Sequence, residues 1–121
     1  MNNEDKIPVA IFASATLNKE ETFTQYKENI KSTLAPMSTD KHIISIGEVK
    51  NKLIIAYLKE LGYEVNVVPQ HYKNVLPSNY NIIKANDFII FLIHEESSRT
   101  MNLLAHTQKL KDKMSLPVHL S

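Results

Sequence analysis

The feature that most restricts what this chain can fold into is the regular alternation of short apolar runs with longer stretches of helical periodicity. Ile7-Pro8-Val9-Ala10-Ile11-Phe12-Ala13 and Asp87-Phe88-Ile89-Ile90-Phe91-Leu92-Ile93 are nearly continuous apolar runs. A strand covered on one face alternates apolar with polar residues, so unbroken runs of this length mark strands buried on both faces. Pro8 is tolerated because it stands near the start of its run. Shorter strands are expected at 42–46, broken by Gly47, at 64–68, ended by Pro69, and at 116–120.

Between these runs, Phe23, Tyr26, Ile30 and Leu34 recur at helical spacing, and Val49, Leu53, Ile54, Tyr57, Leu58 and Leu61 do so again. Asn18, with Glu21 three residues later, predicts an N-cap with its capping-box partner, and Pro36 closes that helix. Gly62 is placed to end the second helix. A short helix is expected from Pro77 to about Ala85. The last runs from a Ser97 or Ser98 cap to about Lys113, with Met101, Leu104 and Leu110 inward. Strict strand–helix alternation with doubly buried strands implies a parallel sheet joined by right-handed crossovers. The expectation is a three-layer, Rossmann-like α/β fold, its five-stranded parallel sheet in the order 3-2-1-4-5 with helices on both faces. A length of 121 residues suits one domain, 1–121, with residues 1–6 flexible.

Composition narrows function mainly by exclusion. A net charge of +1 argues against a general binder of nucleic acid or anionic membrane, which needs a basic surplus. No cysteine is present, so disulfides, thiolate catalysis and cysteine-based zinc sites are excluded. The five histidines form no i, i+4 pair, and no metal or other cofactor is expected. No apolar run reaches the roughly 18 residues of a membrane span. The polar start Met1-Asn2-Asn3-Glu4-Asp5-Lys6 does not resemble a signal peptide, so a cytoplasmic location is expected. Only two glycines occur, Gly47 and Gly62, which rules out a Gly-rich phosphate cradle. Arg99 is the only arginine among the 14 basic residues.

In an open parallel sheet, ligands bind beyond the carboxyl ends of the strands, where the strand order reverses. With the first strand central, that point lies between the first and fourth strands. The first strand ends on Ala13 and leads into Ser14, Ala15 and Thr16; the fourth leads through His94, Glu95 and Glu96 into Ser97, Ser98, Arg99 and Thr100. Both loops carry hydroxyls and open helices, whose free N–H groups and dipole favour an anion. Arg99 could add a bidentate contact. Ser97 and Ser98 equally suit ordinary caps, and Arg99 a solvated first-turn residue. Tyr72 and Tyr80 could stack on a base or simply cover the sheet edge.

Several segments together carry a resemblance. Ala56-Tyr57-Leu58-Lys59-Glu60-Leu61-Gly62, Pro69-Gln70-His71-Tyr72-Lys73, Ala85-Asn86-Asp87-Phe88-Ile89-Ile90 and Ser98-Arg99-Thr100 occur in an order that resembles the SLOG superfamily of Rossmann-like domains, especially small stand-alone members of the YspA-like group. Ser98-Arg99-Thr100 looks like that family's Ser-Arg-Gly-Thr element without its glycine. Asn79 matches the asparagine of an Arg-Asn pair, with Ser78 at the arginine position. The family's Gly-Gly-Ala-Arg-Gly-Ala-Asp loop reads here Ile46-Gly47-Glu48-Val49-Lys50-Asn51, which brings Gly47 and Glu48 into the candidate site. The resemblance implies binding of a nucleotide or nucleotide-derived small molecule at the switch point. Some SLOG members are phosphoribohydrolases with a Pro-Gly-Gly-x-Gly-Thr-x-x-Glu signature, and nothing in this chain matches it.

The leading expectation is therefore a non-catalytic binder, a sensor or sequestering protein of bacterial or phage origin, with no catalytic residue assigned. Two alternatives are a nucleotide N-glycosidic hydrolase using Glu95 or Glu96 as the acid, and a degenerate fold serving as a protein-interaction module. A homodimer or higher homo-oligomer is also expected. Leu103 adjoins Leu104, and Ile54 adjoins Ile55, on helices with only one inner face each, so a symmetric contact would cover the outer member.

Overall fold

The computed structural model describes residues 6–95 and 97–121. It contains five strands, β1 (Ile7–Ala13), β2 (His42–Gly47), β3 (Glu64–Val68), β4 (Phe88–Ile93) and β5 (Met114–His119). They alternate with four α-helices, α1 (Glu20–Leu34), α2 (Lys52–Glu60), α3 (Val75–Ala85) and α4 (Ser98–Gln108). All pairings are parallel and the strand order is 3-2-1-4-5. The architecture is the expected three-layer, Rossmann-like α/β sandwich.

The doubly apolar strands explain the layers directly. Val9 and Ile11 of β1, with Ile90 and Leu92 of β4, pack into one core with Phe23, Tyr26 and Ile30 of α1 and Ile54, Tyr57 and Leu58 of α2. Their sequence neighbours Ala10, Phe12, Ile89, Phe91 and Ile93 point the other way, into a second core with Ile82 and Ile83 of α3 and Leu103 and Leu104 of α4. Successive side chains of a strand face opposite sides, so a run without polar residues needs a helix layer on each. Edge strands β3 and β5 are only partly buried. β5 carries Pro117, tolerated at an edge because a missing donor costs least there.

Several boundaries differ from the sequence expectation, each for a local reason. Asn18 does not cap α1: it ends a one-turn 3₁₀ helix, Ala15–Asn18, and α1 starts after Lys19. Its Oδ1 instead accepts from the backbone N–H of Leu53 at 3.1 Å, so it caps α2 from a distant loop. Helix α3 begins two residues before Pro77, which occupies its first turn, where a missing N–H leaves no helical bond unmade. Helix α4 stops at Gln108 rather than near Lys113. β5 must run alongside the whole of β4, and the Met114 N–H already bonds the Asp87 carbonyl at 2.8 Å. Gly62 behaves as expected: with φ of 98° it ends α2, while its N–H bonds Lys59 and that of Tyr63 bonds Leu58.

Leu103 and Leu104 both lie in the second core, so that pair leaves no apolar outer member for a symmetric contact. The first residues, 1–5, lie outside the described part. Lys6, also expected to be flexible, is held to Glu64 by an ion pair of 2.9 Å.

Candidate functional site

The switch point between β1 and β4 is tied shut at its base by the loops themselves. The Ser14 N–H donates to the Leu92 carbonyl at 3.0 Å, and Ser14 Oγ accepts from the His94 N–H at 2.9 Å. Thr16 Oγ1 donates to the His94 carbonyl at 3.1 Å and lies 2.8 Å from His94 Nδ1. The His94 ring packs against Tyr26 at 5.0 Å between centroids. Ser14 and Thr16, expected to meet a ligand, therefore brace the two loops instead and do not line the cleft above them.

That cleft measures about 250 Å³, slightly below the roughly 300–1,000 Å³ typical of small-molecule sites. It lies over the carboxyl ends of β1 and β2 and the starts of α2, α3 and α4. Phe12, Ala13 and Ala15 line it from β1 and the loop beyond, and Gly47 from the end of β2. Ser97, Arg99, Thr100 and Leu103 line it from α4, while Val75 and Asn79 face it from α3. Of the expected residues, the cleft thus gathers Ala13, Ala15, Gly47, Asn79, Ser97, Arg99 and Thr100. Ser98 opens α4 and is exposed without lining the cleft, and Glu48 is exposed too, its Oε1 accepting from the Gln70 N–H at 3.0 Å.

Ser97 is a true cap, accepting from the Thr100 N–H at 3.2 Å and donating to Thr100 Oγ1 at 3.0 Å. The cleft therefore meets a finished helix start.

Residues that the sequence did not single out complete the wall. Lys50 and Asn51 come from the loop between β2 and α2, and Gln70 from the loop between β3 and α3. Lys50 has φ of 60°, a left-handed conformation seldom adopted outside glycine, and so does Glu95 at 56°. Asn51 Nδ2 donates to the Gly47 carbonyl at 2.7 Å and fixes that turn. The Gln70 side chain crosses directly over Gly47: a Cβ there would overlap its terminal amide. Gln70 Oε1 accepts from the Val49 N–H at 3.3 Å, and Nε2 donates to Asn79 Oδ1 at 2.8 Å and Ser78 Oγ at 3.2 Å. The glycine is thus explained by a close approach. Lys50 and Asn51 fall in the segment 46–51 already brought to the site, and strand order offered a further signal, because β2 neighbours β1 and its following loop must overhang the same end of the sheet. Gln70 had no comparable signal, its contact with Gly47 bridging 23 positions of sequence.

Electrostatically the wall is one-sided. Its described lining contains Lys50 and Arg99 and no carboxylate. Acidic residues, which favour a helix N-terminus, are absent from the first turns of α2, α3 and α4, whereas α1, whose start does not line the cleft, has Glu20 and Glu21 there. Glu95, a candidate acid, is exposed and outside the lining, and Glu96 lies outside the described residues. Tyr72 is exposed, and Tyr80 packs on His106 with centroids 4.6 Å apart; neither lines the cleft. Among the described residues, no group of three or more acidic or histidine side chains could hold a metal, and no helix is long and apolar enough to cross a membrane.

Compared with known proteins, the chain matches no family model, no curated protein and no solved structure.

Proposed function

We propose that the cleft binds the anionic group of a nucleotide-derived small molecule, and that the protein acts as a sensor or sequestering protein, not as a catalyst. The observation that carries this reading is the sign of the wall. Three helix N-termini border one cleft without first-turn acids to balance them, and Arg99 and Lys50 add two cations. A cation in the first turn of a helix is mildly unfavourable against the dipole, so Arg99 at the start of α4 is better accommodated with an anion beside it. The ordered resemblance of four segments to SLOG domains supports the same class of ligand. A bacterial or phage origin belongs to this reading.

Thermal-shift titration with adenosine 5′-monophosphate and with inorganic phosphate tests it, because a ligand that binds only the folded state raises its melting temperature. Both probes are expected to stabilise the wild type. Arg99→Ala should weaken both by roughly ten- to a hundredfold, the loss of one charge-assisted contact. Arg99→Lys should recover only part, since an ammonium lacks the planar fork. Unchanged affinity in Arg99→Ala would refute the assignment.

A further inference from the structure

We propose that the cleft reads its ligand at a second, chemically different point: the side-chain NH₂ of Asn79 donates to a neutral acceptor, a carbonyl or ring nitrogen, on the molecule whose anion Arg99 holds. This rests on the anion-binding reading above and specifies what else the ligand must carry.

The orientation of that amide follows from a chain of hydrogen bonds. The Val49 backbone N–H is a donor only, so the group facing it at 3.3 Å must be the Gln70 oxygen. The Gln70 nitrogen is thereby turned toward α3, where it donates to Asn79 Oδ1 at 2.8 Å. With its oxygen engaged, Asn79 keeps its NH₂ for a different partner. Asn79 is only 7% exposed, and among the described residues its NH₂ meets no protein acceptor. Among the described residues no fully enclosed side-chain nitrogen or oxygen lacks a partner, so this NH₂ reaches open space, and Asn79 borders the cleft.

A nearly buried amide is ordinarily bonded at both ends. One end pinned by Gln70 and the other open to a cationic cleft is the arrangement of a donor held ready for a ligand. Gln70 is a positioning residue here, acting through Asn79, and Gly47 is the residue small enough to let it pass. An inorganic anion would engage the cationic wall and leave the Asn79 NH₂ unused. A ligand with an anion and a neutral acceptor, as in a nucleoside monophosphate, would engage both.

Calorimetry with adenosine 5′-monophosphate and inorganic phosphate on the full chain separates the two contacts. Wild type should bind the nucleotide more tightly than phosphate. Asn79→Leu should weaken nucleotide binding roughly two- to tenfold, the worth of one neutral hydrogen bond, and leave phosphate binding unchanged. Gln70→Met keeps Asn79 but frees its amide to turn, and a smaller loss confined to the nucleotide is expected; this variant decides the matter if Asn79→Leu does not fold. Equal weakening of both probes would reduce the pair to a structural role and overturn the proposal, as would no change in either. A wild type that binds phosphate but the nucleotide no more tightly overturns this inference alone. A wild type that binds neither overturns the anion reading with it.

Discussion

At Gly47 the absence of one carbon atom leaves room for the Gln70 amide, and the backbone there does not otherwise require glycine, since its φ is not positive. Gly47→Ala should therefore fold. The atoms in the way are the end of a flexible side chain, which can swing aside. The variant loses the bonds from Gln70 to Val49 and Asn79 and gains a little from a stiffer unfolded chain. A net cost of about 1 kcal/mol is expected in urea unfolding, together with a reduced preference for nucleotide over phosphate, as in Gln70→Met. A melting profile and a preference both equal to wild type would show that Gln70 is not held by this approach. At this scale the sequence was only partly legible. Arg99 and Thr100 could be placed because strand order puts their loop at the switch point. Ser14 and Thr16 were placed at the right loop, but hydroxyls at a strand end can face a ligand or bond the neighbouring loop, and both of these bond the loop at His94, 80 residues away from Ser14.

Helix ends in this protein are closed by different means, which is why element boundaries slipped while the elements themselves were readable. α2 ends in a left-handed glycine, a signal written in the sequence. The end of α1 is served from afar: the Tyr63 hydroxyl, in a buried position, lies 2.9 Å from the Leu34 carbonyl and 2.6 Å from that of Met37, sharing its one proton. Tyr63→Phe leaves the Met37 carbonyl without this donor, while that of Leu34 keeps the Met37 N–H at 2.9 Å, and should cost about 1–2 kcal/mol at neutral pH. Burial raises the Tyr63 pKa above its ordinary 10.0. The folded state then keeps a proton that the unfolded chain gives up, so this contribution is fully present below about pH 10 and falls as pH rises through the folded pKa. Tyr57, raised first by its burial and then by Glu28 and Glu60, acts in the same direction. Urea unfolding between pH 7 and pH 11 should therefore show stability falling at the alkaline end, less steeply in Tyr63→Phe. An identical slope in both proteins would place the alkaline loss elsewhere.

For the molecule as a whole, the order of the sheet and its two cores were legible because they depend on period alone: runs without polar residues need two covered faces, and alternation with helices needs parallel strands. The cleft's contents depend on which distant loops meet, and no local pattern encodes that. The same topology bears on how the chain can be made. Strand β1 is early in sequence and central in the sheet, and the partner on its second side, β4, ends only at Ile93. A nascent chain that has emerged as far as Val68 can form β1, β2 and β3 beneath α1 and α2. It would still show a bare face of Ala10 and Phe12 and an unpaired strand edge. At bacterial or eukaryotic elongation rates that interval lasts on the order of seconds, long enough for a second nascent chain on the same polysome to pair with the open edge. A fragment ending at Val68 is accordingly expected to aggregate or remain unfolded, and a monomeric fragment with a cooperative melt would contradict this. Variants that weaken the docking of α3 and β4, such as Ile83→Ala, should then lower soluble yield in the cell by more than the stability of the purified protein would lead one to expect.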